Sequence, residues 1–122
     1  MKPITLATLP QATEQEVFNY VAHHLLTQNK KSSLENYNLF AYHGNNNLKN
    51  AAGCLIADSE YTDQMKLFSW YELISLKIAP SNHCELIIDL EGVHDAYEAS
   101  DWRNQLMEVA QDFNLKFNIA DS

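Results

Sequence analysis

Positive charge is scarce in this sequence relative to negative. Its 122 residues hold eight Lys and Arg against sixteen Asp and Glu, a formal net charge of −8, and Arg103 is the only arginine. A field of that sign repels phosphate, which argues against nucleic acid and anionic membrane surfaces as partners. Glycine is scarcer still. Three residues cannot build the loops that cradle phosphates, and neither Gly-x-Gly-x-x-Gly nor Gly-x-x-x-x-Gly-Lys occurs. Three glycines and three prolines also speak against a disordered or fibrous chain. Cys54 and Cys84 are too few for a disulfide framework, and buried free thiols are expected. No apolar run approaches the roughly 20 residues of a membrane span. Met1–Leu6 lacks the apolar stretch of a signal peptide, so a cytoplasmic location is expected.

What is present suits one ordinary domain over 1–122, with 46% hydrophobic residues. Residues 1–12 carry Pro3 and Pro10, and Ile4, Leu6 and Leu9 suit a short strand. Thr13-Glu14-Gln15-Glu16 reads as a capping box opening a helix whose apolar face is Val17, Phe18, Val21, Ala22 and Leu25. Residues 34–56 read as a hairpin: Tyr37, Leu39 and Phe40-Ala41-Tyr42 on one strand, a turn at Gly44-Asn45-Asn46-Asn47, and Ala51–Ile56 returning. Leu67–Ile78 is ambiguous between buried helix and strand, and helix is favoured. A helix over 82–98 follows, with Leu86, Leu90, Val93 and Tyr97 on one side. Ser100 is placed to cap a last helix over 101–114, whose stripe is Trp102, Leu106, Val109, Ala110 and Phe113, with Asn114 as C-cap. Leu115, Phe117 and Ile119 alternate as a strand would. The expected fold is α+β: three or four helices packed on a small antiparallel hairpin or sheet. Its expected core is Val17, Phe18, Val21, Leu25, Phe40, Leu55, Ile56, Ile74, Leu86, Leu90, Trp102, Leu106, Val109 and Phe113.

Few residues have the spacing of a catalytic or metal site. His23 and His24 are adjacent and diverge by about 100° on a helix, and no His-x-x-x-His or Cys-x-x-Cys pair occurs. Cys84 lies in the first turn of its helix near His83, but the surrounding acids would raise a thiol pKa, not lower it. His94 sits at the edge of an apolar stripe, and Asp95, as its helical neighbour, is poorly placed to orient it. No cofactor or metal is expected.

The charge distribution is the stronger signal. Residues 1–84 hold seven acids and six bases; residues 85–122 hold nine acids and two bases, a net of −7. Glu85, Asp89, Glu91, Asp95 and Glu98 fall on the first of the two C-terminal helices, and Asp101, Glu108 and Asp112 flank the second. Asp121 follows in the tail. Such carboxylate rows serve either as a solvated face or as a docking surface for a basic partner. Ile88, among the acids, would be an apolar anchor.

Residues 14–113 resemble a family of small, largely uncharacterised proteins of phages and prophage-bearing bacteria. The matching pieces are His24–Gln28, Tyr42-His43-Gly44, Leu48-Lys49, Ala51–Ile56, Asp58 to Tyr61, Met65, Leu90, His94-Asp95 and Trp102. Gly53-Cys54-Leu55-Ile56 is the most specific. Asn50 stands where a first cysteine is common in that family, and His43 where an arginine is. The resemblance implies a mobile-element or competition context and carries over no catalytic residue. The expected function is a non-catalytic acidic binding protein, an immunity or inhibitor protein neutralising a basic partner such as a toxin nuclease. Alternatives are a small enzyme or small-molecule binder with a pocket near His94, Cys84 and Tyr42, a phage anti-defence protein, or a scaffold subunit.

Overall fold

The computed structural model describes residues 2–34 and 39–119. Four α-helices organise them: α1 (Glu14–Gln28), α2 (Trp70–Ser75), α3 (Cys84–Ala96) and α4 (Trp102–Asp112). Helices α1, α3 and α4 pack pairwise around one core. Each contributes one apolar stripe: Val17, Phe18, Val21 and Leu25; Leu86, Leu90 and Val93; Trp102, Leu106 and Val109.

Helix boundaries follow local chemistry. The Thr13 hydroxyl accepts from the Glu16 amide at 3.1 Å, and the Glu16 carboxylate accepts from the Thr13 amide at 2.8 Å. Asn29 ends α1 in the left-handed region (φ 54°), a conformation asparagine tolerates. Ser69 and Glu72 form a second capping box, at α2. Ser100 does not cap α4. It lies inside a 3-10 turn, Ala99–Asp101, that leads directly into the helix. Helix α3 begins only at Cys84, after His83 turns the chain at φ 60°.

The expected α+β architecture is not what the chain adopts; the fold is helical. Among the described residues, strand is confined to an antiparallel ladder of β1 (Ser33–Leu34) and β2 (Leu39–Phe40). Tyr37 lies outside the described residues. The turn over Gly44–Asn47 forms, with Asn46 and Asn47 at φ 60° and 62°, but beyond it only an isolated bridge joins His43 and Lys49. The return strand is replaced by a 3-10 turn, Gly53–Leu55, because Asn50 redirects the chain. Its side-chain oxygen accepts from the Gly53 amide at 2.7 Å and its carbonyl from the Cys54 amide at 3.1 Å. The N-terminal segment forms a 3-10 turn at Leu9–Gln11 in place of a strand. Glu60 holds it, accepting from the amides of Leu6, Ala7 and Ala57. Residues 115–119 form no strand either. The Gln15 amide group donates to the Lys116 carbonyl and accepts from its N–H, both at 2.9 Å, and Phe117 meets Phe18 edge to face.

Three expected core residues lie further out: Phe40 is 45% exposed, and Ile74 and Phe113 are only partly buried. Leu9, Trp70, Leu73 and Ile87, absent from that expectation, are fully buried. Phe40 is displaced because the hairpin that would have buried it does not form.

Two glycines make opposite demands. A Cβ at Gly53 would lie 1.8 Å from the Tyr42 carbonyl oxygen, whereas a Cβ at Gly92, within α3, meets nothing within 4 Å. Gly53→Ala should therefore destabilise the protein by about 2–3 kcal/mol or more. Gly92→Ala should stabilise it by about 1 kcal/mol through helix propensity. Urea unfolding of both variants checks this pair, and a shift of the same sign in both would contradict the packing at Gly53.

Candidate functional site

The acids expected to share one face divide into groups. Glu85 and Asp89, four residues apart, are exposed on α3. They stand near Tyr71 of α2, whose hydroxyl the Glu85 carboxylate holds above its usual range. Glu98 is exposed between the helices. Glu108 and Asp112, four residues apart, are exposed on one stripe of α4, and Asp101 is exposed in the turn that leads into it. Among the described residues, none of these carboxylates is ion-paired with Lys or Arg; the lysine pair is Lys49–Asp58, at 3.0 Å. Ile88 does not stand free as an anchor among the acids. It is half-buried and packs on the core.

Glu91 and Asp95 turn the other way. They line a cavity of about 220 Å³ whose walls include Phe40, Tyr42 and Phe68, with Asn50, Lys66 and Leu67 also contributing. Capping of α2 leaves Phe68 extended before the helix, and its carbonyl accepts from the Tyr42 hydroxyl at 2.9 Å. That bond fixes two of the aromatic walls relative to each other. Glu91 is the unusual group. Its Oε1 is buried and has no hydrogen-bond partner among the described residues. Burial, and secondarily the charge of Asp95, pushes its carboxyl up to about 8. The same burial, together with Glu91, raises the Tyr42 phenol. A carboxylate that is desolvated and unpaired can gain from a cation, or remain neutral by holding a proton.

His94 and Asp95 are closer partners than helical divergence suggested. Their Nδ1 and Oδ1 atoms lie 2.6 Å apart. Adjacent Cβ atoms do diverge, but Nδ1 lies near its own backbone, within reach of a short carboxylate. The other ring nitrogen, Nε2, accepts from the buried Ser32 amide at 2.9 Å. The imidazole is therefore the neutral tautomer that donates from Nδ1 to Asp95. It is fully buried, stacked on Trp102 and edge-on to Phe40. With both nitrogens engaged, it has no lone pair left for a substrate proton. Cys84 begins the same helix ten residues earlier, about 15 Å along its axis. It does not line the cavity. Burial raises both thiols, with Glu85 adding to the effect at Cys84. The pocket expected near His94, Cys84 and Tyr42 thus takes Tyr42 and Asp95 but neither His94 nor Cys84.

Of the cavity residues, Phe68, Lys66, Leu67 and Asn50 had no sequence signal, because an irregular segment delivers them. Glu91 had one: it follows the buried Ile87 by four residues and so extends the core-facing stripe of α3. Among the described residues no cluster of three or more His, Cys, Asp or Glu is arranged to hold a metal ion. No helix among them is long and apolar enough to cross a membrane. Comparison with protein-family models, with curated proteins and with solved structures found no match to the chain.

Glu91 gives the fold a signed pH dependence. Its carboxyl binds a proton more tightly in the folded chain than in the unfolded one, where the usual value is about 4.5. The associated stability is fully present below that value and is lost as pH rises through about 8. Glu91→Gln keeps the shape without the ionisation. The variant should match the parent at pH 4 and exceed it by a few kcal/mol at pH 9. Melting curves across that range test this, and a gap that stays constant with pH would show that ionisation of Glu91 carries no penalty.

Proposed function

We propose that this protein is a non-catalytic acidic binding protein that docks a basic protein, as an immunity or inhibitor protein would hold a toxin nuclease. The observation that carries the reading is the set of six exposed carboxylates, Glu85, Asp89, Glu98, Asp101, Glu108 and Asp112, with no Lys or Arg paired to them among the described residues. Exposed ion pairs contribute only about 0–1 kcal/mol each, so the main gain from such a surface lies in association rate and partner choice. The likeness of residues 14–113 to phage- and prophage-associated proteins suits a competition setting in the cytoplasm, with anti-defence or scaffold roles as its neighbours. A small enzyme is less well supported, since His94 is fully engaged and both thiols are held protonated.

The test is retention of basic proteins from the native host on the purified protein, followed by binding kinetics with the retained partner. Lysine substitutions at Glu85 and Asp89, and separately at Asp101, Glu108 and Asp112, should each slow association tenfold or more. Added salt should weaken binding to the unsubstituted protein and affect the reversed variants less. A partner whose affinity ignores both salt and charge reversal, or no basic protein retained at low salt, would sink the reading.

A further inference from the structure

We propose that the Glu91–Asp95 cavity is the receptacle for a single cationic side chain, lysine or arginine, presented by the docked partner. The proposal rests on the reading of that partner as a basic protein, and adds the anchor of the contact and its place.

Four observations converge on this occupant. The first is the buried Glu91 Oε1, with no partner among the described residues, beside a second carboxylate four residues further along α3. The second is size: about 220 Å³ is below the roughly 300–1,000 Å³ of pockets for drug-sized ligands, and suits one side chain. The third is the wall. Phe40, Tyr42 and Phe68 offer apolar and aromatic surface to the stem and head of a cationic side chain, and among the described residues no group of three or more His, Cys, Asp or Glu is arranged to hold a metal ion. The site's own rim already draws a cation: the Lys31 ammonium lies 5.0 Å from the centre of the Phe40 ring. The fourth is the mouth, where Leu67 is 74% exposed and Phe40 45%. Exposed apolar residues around a recessed acid fit a protein surface that seals a buried charged anchor from water. A free cation would gain nothing from Leu67.

Position supports continuity with the docking surface. Ile88, Glu91 and Asp95 make one stripe of α3, and Glu85 and Asp89 lie on its outer side. The charged and titratable groups around the cavity are Asp95 on the same helix, Tyr42 beyond β2, Lys66 in the Asp63–Leu67 turn and Lys31 over the Phe40 ring, while Glu72 on α2 acts on Tyr42. An incoming cation must displace the proton on Glu91. Affinity should therefore fall about tenfold per pH unit below the carboxyl's titration near 8.

The test uses free probes on the intact protein: n-butylammonium for lysine, ethylguanidinium for arginine, and n-butanol as the neutral control. Backbone amide resonances are followed at pH 6 and pH 8.5. Expected are saturable shifts at Phe68, Glu91 and Asp95 with at least one cation, stronger at the higher pH, and none with butanol. Glu91→Gln should weaken cation binding at least tenfold. Asp95→Asn, which keeps the oxygen that His94 needs, should weaken it several-fold and serves if the first variant folds poorly. Equal binding of butanol, or no saturable shift with either cation, overturns the proposal. Glu91→Gln should also weaken the partner at least tenfold. Cation binding with an unchanged partner affinity would mean that the cavity serves a free small cation, and the proposal fails in that form. Because the probes need no partner, failure of the surface charge reversals and failure of the receptacle are read separately.

Discussion

One buried contact joins the helical and irregular parts of this molecule: the amide of Ser32 donating to Nε2 of His94. Both residues are fully buried, so neither group has water as an alternative, and losing the partner would cost the remaining one about 1–3 kcal/mol. The contact propagates in both directions. On the helix side it fixes the imidazole tautomer, which turns Nδ1–H to Asp95 and sets that carboxylate at the cavity. On the other side, the Ser32 hydroxyl reaches the carbonyls of Ala41 and Leu48, and its carbonyl accepts from the Ala41 amide. Gly44 must be glycine here for space, since a Cβ would lie 2.5 Å from the Ser32 hydroxyl while its φ of −102° is open to any residue. The cavity thus exists because α3 and the segment after β2 are held to one serine.

The same device recurs where a sheet would otherwise supply backbone partners. His24 and Gln28 of α1 both donate to the Lys49 carbonyl, and Gln28 accepts from the Lys49 amide. His43 reaches the carbonyls of Gly53 and Ile56 while stacking on Tyr61. His83 reaches the Ala12 carbonyl. Side chains on α1 (His24, Gln28) and in the irregular segments themselves (His43, His83) therefore satisfy the polar groups of loops, which is the accounting any buried irregular segment must meet. It also sets a lower pH limit. Burial lowers the pKa of His24 and His43, so the stability tied to their neutral forms is present above the ordinary histidine value and is lost as pH falls below it. Glu91 acts in the opposite sense, losing stability as pH rises. The fold is held between these two desolvation penalties.

Where the fold obeys local rules, the residues announce it. Thr13 and Glu16 mark the start of α1, asparagines 29 and 114 take left-handed conformations after helices, and the stripe from Trp102 to Val109 faces the core. Where the fold depends on contacts between distant residues, pattern reading fails. Ala51–Ile56 has the composition of a strand, yet Asn50 captures the Gly53 amide locally, and the close approach of Gly53 to the Tyr42 carbonyl blocks regular pairing. Glu60 looks like a surface acid but binds amides more than fifty residues away. The candidate site divides along the same line. The count and rough location of the acids are legible in the chain, but the inward turn of Glu91 depends on which side of α3 meets the irregular segment. Only its spacing from Ile87 hints at that.

This division gives the acids two physical roles. The exposed carboxylates act through water, where salt screens them over about 8 Å, so they can bias encounter and orientation but hold little on their own. Glu91 is in the reverse condition. Desolvation makes its ionised form costly, and a cation delivered to it would relieve that cost in an environment where charges interact far more strongly than at the surface. A partner with scattered positive charge would be drawn by the first group and released readily. One that also presents a lysine or arginine at the right place would neutralise the orphan acid under a cover of Leu67 and Phe40, and dissociate slowly. Discrimination would then come from the recessed pair and speed from the outer six, so the two properties can vary independently in a chain whose net charge stays the same.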